Sequence, residues 1–383
     1  MSKKIAIVAG EASGDLIASG LLTQLKKKYP DIHFIGVGGP LMLAAGLRSL
    51  FPFERLSLHG FGFDVLKQVP ALLFARARLA NTIIKEKPNV FIGVDAPDFN
   101  LGLERSIKRA GIPTVHYVSP SIWAWRRGRL SKIKHCVSRM LTLFPFEAAY
   151  YHEQQIKVDY VGHPLADQYS LIPRTRAARE KLGLDQSDLV IALLPGSRMS
   201  EVKMLSDIIL NTAAIVAKQY PKAVFLVPLI NRQTKDLFER KMYHLYDQQD
   251  DFPNMRVMFG HANLAMEASD LVLVASGTAT LEAALLKKPM VITYKVSWLS
   301  WQILKRLSYL PFVGLPNILA NQMIVPELLQ ANAQPEKIAE TLIQLLSDKK
   351  RRKQITDKFT EIHHSLRQNT QAKIVAIIEQ YLK

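Results

Sequence analysis

Residues 189–202 read LVIALLPGSRMSEV. The apolar run 189–194 predicts a buried strand. Pro195, Gly196 and Ser197 force a tight turn, and the pattern from Glu201 to Leu205 begins a helix. A strand that ends this way aims the unpaired N–H groups of a helix start at one point, and the helix dipole adds partial positive charge there. Arg198 sets a permanent planar cation beside them, suited to bidentate phosphate contact. The stretch is therefore either the seat of a diphosphate or an ordinary strand-to-helix turn carrying a solvated arginine.

A second turn of the same kind lies downstream. The apolar run 271–275 leads into Ser276, Gly277 and Thr278, which bring hydroxyls and a bare backbone to another helix start. Glu282 follows about one helical turn later. A carboxylate repels phosphate but accepts well from two ribose hydroxyls; the plainer role is pairing with the helix dipole. Runs at 224–227, 256–258 and 289–294 continue a strand–helix alternation around these two turns. Asn317, after Pro316, is a candidate contact to a base or diphosphate.

The N-terminal half repeats the architecture. Runs at 5–9, 33–37, 90–94, 114–118, 141–144 and 158–161 predict strands of a parallel, doubly wound sheet. The first runs into Gly10-Glu11-Ala12-Ser13-Gly14-Asp15, whose glycines allow close approach of another backbone. Ser13 follows Gly-Glu-Ala, so the segment is not a hydrolase nucleophile elbow. Ser13 is either a helix N-cap or a ligand contact. A dinucleotide fingerprint at 36–41 fails, because Leu41 stands where its third glycine is required. The run 90–94 ends in Asp95-Ala96-Pro97-Asp98. Asp95, first off the strand, is placed to point into a cleft and act as general base, whereas Asp98 fits helix capping better. After 114–118 come Trp123, Trp125, Arg126, Arg127 and Arg129, either a sugar-phosphate grip or a solvated helix start. His163 lines the cleft or is a satisfied structural histidine.

The chain has 383 residues, which suggests two domains, and a polar stretch at 170–188 marks the boundary. We expect an N-terminal Rossmann-like domain over 1–170, a C-terminal one over 171–364, and a last helix near 365–383. Ile374, Ile377, Ile378 and Leu382 recur at helical spacing on it. They need a surface to cover, on their own N-terminal lobe or on a partner's. A single cysteine, Cys136, excludes an internal disulfide and fits a reducing cytosol. The histidines show no metal-ligand pairing, and the Asp95/Asp98 spacing is wrong for a DxD metal motif, so neither metal nor cofactor is expected. The net charge of +17 calls for an anionic partner. The basic residues are dispersed and carry no nucleic-acid-binding signature, which leaves a membrane face or phosphorylated lipid. Residues 51–80 crowd phenylalanines and leucines ahead of Arg76 and Arg78, as in a helix lying on an anionic membrane or in a core helix. The uncharged stretch 307–326 holds three prolines, so it predicts a looped wall rather than a membrane span.

Taken in order, GEASGD, DAPDFN, HYVSPSIWAWRRGR, VGHP, LLPGSR, SGTATLE and LPN resemble the lipid-A-disaccharide synthases, inverting glycosyltransferases of the GT-B fold. The resemblance covers nearly the whole chain. It implies transfer of 2,3-diacylglucosamine from its UDP derivative to the 6-hydroxyl of 2,3-diacylglucosamine 1-phosphate (a lipid X-type acceptor), with inversion. By that pattern Asp95 matches the general base and Arg198 the diphosphate-side arginine. Gly196, Ser197, Ser276, Gly277, Thr278, Glu282 and Asn317 match the UDP site. Ser13, Trp125, Arg126, Arg127 and His163 are candidates on the acceptor and phosphate side. The resemblance further implies a peripheral enzyme on the cytoplasmic face of the bacterial inner membrane, without a metal. A homodimer is compatible with the tail, and nucleic acid is not a partner. Another UDP-sugar glycosyltransferase or epimerase of this fold is the competing reading, as is a non-catalytic binder of anionic lipid or nucleic acid.

Overall fold

The computed structural model describes residues 3–53, 63–125, 128–247 and 252–383. By contacts the chain divides into two units: residues 1–167 with 366–383, and residues 168–365. Each is a parallel sheet with helical crossovers, as the alternating pattern predicts.

The first sheet contains β1 (Lys4–Ala9), β2 (His33–Val37), β3 (Leu47–Ser49), β4 (Val90–Val94), β5 (Thr114–Tyr117), β6 (Arg139–Thr142) and β7 (Val158–Tyr160), in the order β3-β2-β1-β4-β5-β6-β7. The register pairs Ile7 with Ile92 and Ala9 with Val94. The strands β4 (VFIGV) and β5 are buried throughout, the signature of central strands covered on both faces. Leu79, Ala80 and Ile83 of the helix Phe63–Glu86 and Leu103 and Ile107 of the helix Pro97–Arg109 close one core over β1, β2 and β4.

The second sheet contains β8 (Val190–Leu194), β9 (Val224–Leu229), β10 (Asn254–Phe259), β11 (Leu271–Ala275), β12 (Met290–Tyr294) and β13 (Glu327–Leu329), in the order β10-β9-β8-β11-β12-β13. In both sheets the strand order reverses once: between β1 and β4, and between β8 and β11. At such a switch point the crossovers leave to opposite sides, and the carboxyl ends of the two strands open a crevice.

Two expected strands end differently. The strand predicted at 141–144 is Arg139–Thr142, because the amides of Leu143 and Phe144 turn to the buried Glu147 carboxylate instead of a neighbouring strand. Val118 still donates its amide to Leu141 of β6 at 3.2 Å but has φ of 78°, and β5 ends before it. The polar stretch at 170–188 holds the helix Thr175–Leu182, closed by Gly183 in the left-handed conformation. The short strands β3 and β13 are additions that a few residues of pattern did not reveal. Among the described residues, no helix is long and apolar enough to cross a membrane.

The tail covers the chain's own N-terminal unit. Ile374, Ile377 and Ile378 of the helix Thr370–Glu379 are buried, and Leu382 beyond it is too. Tyr29 donates to Glu379 at 2.9 Å and Arg139 to Gln380 at 2.7 Å. The N-cap residue Asn369 is left-handed and gives no side-chain cap. Asp167 replaces it, accepting from the amides of Asn369 at 2.9 Å and Thr370 at 2.6 Å. Asp167→Ala should therefore cost about 1 kcal/mol, as loss of a helix cap does. Hydrogen exchange should accelerate across residues 370–379 and not in the second unit.

Candidate active site

In the second unit both informative turns sit at the switch point. β8 ends in Pro195-Gly196-Ser197-Arg198 and enters the helix Met199–Gln219. Its neighbour β11 ends in Ser276-Gly277 and enters the helix Thr278–Leu285. A cavity of about 410 Å³ lies over them, lined by Gly196, Ser197, Arg198, Ser276, Gly277, Thr278 and Glu282. The remaining wall includes Ile230, Gly260 and His261. Sequence reasoning missed these three, although they directly follow β9 and β10 at the same end of the sheet, which was the available signal.

The turn at 195–198 is not built as the sequence suggests. The helix begins at Met199, two residues before Glu201. Glu201 folds back, and its Oε2 accepts from the amides of Ser197 at 3.0 Å and Arg198 at 3.1 Å. Those two donors are therefore already engaged by an internal carboxylate, in a capping-box arrangement. Gly196 makes this possible: its φ is 118°, and a Cβ there would lie 2.6 Å from the Glu201 side chain. The Arg198 side chain is 73% exposed and only 3.5 Å from Glu201 Oε1, so its guanidinium is largely available to a ligand.

Glu282 lies within the second helix on the cavity wall. Burial pushes its carboxyl above the ordinary glutamate range, and the hydrogen bond that Tyr169 donates at 3.1 Å opposes this. Ser276 spends its hydroxyl proton on the Val313 carbonyl at 3.2 Å, so it offers an incoming anion less than expected. Thr278 is exposed. Asn317 is a correction. It is fully buried and absent from the cavity lining. Its amide donates to Val325 O at 2.9 Å and Glu327 Oε1 at 2.8 Å, and accepts from the amides of Ile324 and Val325. With its side-chain polar atoms committed, it braces the segment behind the site.

In the first unit, β1 and β4 bring their loops together at the other switch point. Ser13 lies in the first turn of the helix Ala12–Lys28, whose N-cap is Glu11, so Ser13 is not the cap. Its hydroxyl reaches Asp95 Oδ2 at 3.4 Å. Asp95 has φ of 51° and Ala96 of 42°, two successive non-glycine residues in the left-handed region, each costing about 1–2 kcal/mol. Gly10 admits this turn, since a Cβ there would lie 2.8 Å from the Ala96 Cβ. Asp98 stands in the first turn of the helix Pro97–Arg109 and pairs with Arg129 at 2.5 Å, while Ala96 takes the N-cap position.

The remaining acceptor-side candidates separate. Trp125 is half-buried; Arg126 and Arg127 lie outside the described residues. Trp123 is structural. Its indole N–H donates to the buried Glu147 at 3.0 Å, and burial pushes that carboxyl up to about 7. His163 is also structural. It is buried and stacked on Phe144 at 5.8 Å between centroids, and its Nδ1 accepts from the Leu165 amide at 3.2 Å. Burial lowers its pKa to about 4, so at neutral pH it is an uncharged ring.

A family model described as lipid-A-disaccharide synthetase matches residues 5–378. The lipid-A-disaccharide synthase of Methylobacillus flagellatus is 54% identical over 99% of both chains, and that of an Azoarcus species 50% identical over 100% of this chain and 97% of its own. Among solved structures, UDP-GlcNAc 2-epimerase from Neisseria meningitidis bound to UDP-GlcNAc superposes with a TM-score of 0.65 at 14% identity, covering 98% of this chain and 100% of that one. Anabaena HepE in complex with UDP and glucose gives 0.58 at 14% identity, over 99% and 100% of the two chains. These last two share the two-unit fold.

The buried neutral His163 also sets a pH response. Unfolded, it takes a proton near pH 6.5; folded, only near 4. The stability it contributes is complete above 6.5 and is lost as the pH falls toward 4, at about 1.4 kcal/mol per pH unit. Urea unfolding at pH 7 and pH 5 should show a shallower acid loss in His163→Gln than in the parent. Glu147 acts in the opposite sense but equally in both proteins.

Proposed function

The chain belongs to the lipid-A-disaccharide synthase family, glycosyltransferases of lipid A biosynthesis, and from that premise we propose the reaction and the residues that perform it. The donor is UDP-2,3-diacylglucosamine and the acceptor 2,3-diacylglucosamine 1-phosphate. The acceptor's 6-oxygen attacks the donor's anomeric carbon and the bond to the diphosphate breaks. The β-1,6 disaccharide 1-phosphate forms with inversion, and UDP leaves. The observation that carries this reading is the meeting of the helix start at 278, an exposed arginine and a half-buried glutamate on one cavity at the second switch point. The second unit is then the donor domain and the first the acceptor domain.

Each role follows from charge and position. Inversion by direct displacement needs a base for the acceptor's proton and stabilisation of the charge that grows on the leaving diphosphate. Asp95 takes the proton, with Ser13 holding one carboxylate oxygen. The helix start at 278 and the Arg198 guanidinium meet the diphosphate. Glu282, kept in place by Tyr169, accepts from the ribose hydroxyls.

The same reading places the enzyme on an anionic membrane surface. The helix Phe63–Glu86 shows solvent a Phe74 that is 72% exposed, with Leu73 beside it and Arg78 one turn on. The helix Trp298–Leu307 exposes Trp298 at 70%, with Leu299, Leu304 and Leu307, and carries Lys305 and Arg306 among them. Apolar side chains flanked by cations suit an interfacial helix, and the net charge of +17 adds long-range attraction.

Asp95→Asn should abolish transfer, followed by mass analysis of the lipid product, while UDP binding by calorimetry stays at the parent value. Arg198→Ala should weaken UDP binding and transfer together, by the about 1.5–3 kcal/mol of a charge-assisted contact. Efficient turnover of unacylated UDP-GlcNAc would instead favour a different sugar transferase or an epimerase. Cosedimentation with vesicles containing phosphatidylglycerol should be strong at low salt and fall at high salt. Changing Phe74 and Leu299 to serine should weaken it at both.

A further inference from the structure

The polar groups behind Asp95 are more numerous than a core needs. Asn100 and Glu104 stand one turn apart on the helix Pro97–Arg109, and both are fully buried. They lie over Gly93 of β4, where a Cβ would sit 2.2 Å from Glu104 Oε1 and 3.3 Å from the Asn100 Cβ. The two protons of Asn100 Nδ2 are shared among three carbonyls: Asp95 at 2.8 Å, with Val94 at 3.2 Å and Val8 at 3.3 Å. One side chain thus ties the ends of β1 and β4 to the residue that carries the base.

Glu104 extends this network across the sheet. Its Oε1 meets His116 Nδ1 of β5 at 2.7 Å, with both side chains wholly buried. Burial disfavours the imidazolium, yet the charge and hydrogen bond of Glu104, with smaller help from Asp95 and the Val118 carbonyl, hold His116 above the ordinary histidine range. The next residue, Tyr117, accepts the Asp95 amide at 2.9 Å. Asp95, Ala96 and Val118 all have positive φ. A left-handed valine is a rare conformation for a β-branched residue, and such strain persists only where surrounding contacts over-determine it. Asn100, Glu104 and Tyr117 each retain a buried polar atom without a partner, so the region is built for geometry at the expense of hydrogen-bond economy.

We propose that Asn100, backed by the Glu104–His116 pair, is a positioning residue that clamps the strained turn presenting the Asp95 carboxylate. Without these hydrogen bonds the turn relaxes toward ordinary backbone angles and the carboxylate leaves its place beside Ser13. The inference rests on Asp95 acting as the base.

The test compares Asn100→Ala, Ala96→Gly/Asn100→Ala and Asp95→Asn in the full chain, with unfolding monitored for each. Asn100→Ala should lower kcat about a hundredfold, the scale of a misplaced reacting group, with acceptor KM and UDP affinity close to the parent. Glycine at 96 adopts the left-handed angles without strain, so the double variant should recover part of kcat. A parental kcat in Asn100→Ala, or a loss matching only its unfolded fraction, would overturn the clamp. If Asn100→Ala does not fold, the double variant decides on the same criterion, a parental kcat again overturning the clamp. An active Asp95→Asn would overturn the base assignment itself, whereas an inactive one beside a fully active Asn100→Ala overturns the clamp alone.

Discussion

Parallel strands cannot be joined by tight turns, and nearly everything in this molecule follows from that constraint. Each strand must be followed by a crossover, so every loop that leaves a strand's carboxyl end emerges on the same edge of its sheet. Where the strand order reverses, two such loops diverge and leave room between them. The first sheet reverses between β1 and β4, which brings the Ser13 and Asp95 loops together. The second reverses between β8 and β11, which does the same for Arg198 and Gly277. Four segments far apart in sequence thus become two pairs because of backbone connectivity, before any side chain contributes.

The residues then turn a generic crevice into particular chemistry. In the proposed reaction the second unit grips the leaving group with a helix start, a cation and an acceptor for the ribose. In the first unit the emphasis is reversed. There the proposed chemistry falls to a single carboxylate, and a larger buried network lies behind it. An anion seat can share its load among several donors, whereas a proton acceptor must stand at one point relative to the attacking oxygen.

Much of this was legible in the chain. The strands β4, β8 and β11 are uninterrupted apolar runs of the length a buried parallel strand needs, and each ends in glycine, proline or aspartate where the backbone must turn. Family motifs then attached roles to the turns. What stayed hidden depended on where side chains fold back. Glu201 reads as a helix residue, and nothing local states that it occupies the amides of Ser197 and Arg198. Asn317 sits in a motif that suggests a ligand, but its four hydrogen bonds go to chain 7–10 residues ahead. For His163 the sequence left cleft lining and a structural role open, and the ring is buried against Phe144. Tertiary burial decides all three, and a linear pattern carries no term for it.

The return of residues 366–383 to the first unit bears on how the molecule is made. Synthesis runs from the amino end, so the first sheet emerges early but waits for its last helix until the entire second unit has left the ribosome. Until then the faces that Ile374 and Ile378 will cover stand open to solvent. The second unit, contiguous in sequence, can complete its core while the earlier one is still unfinished. The first unit can therefore be completed only after the whole of the second has been synthesised.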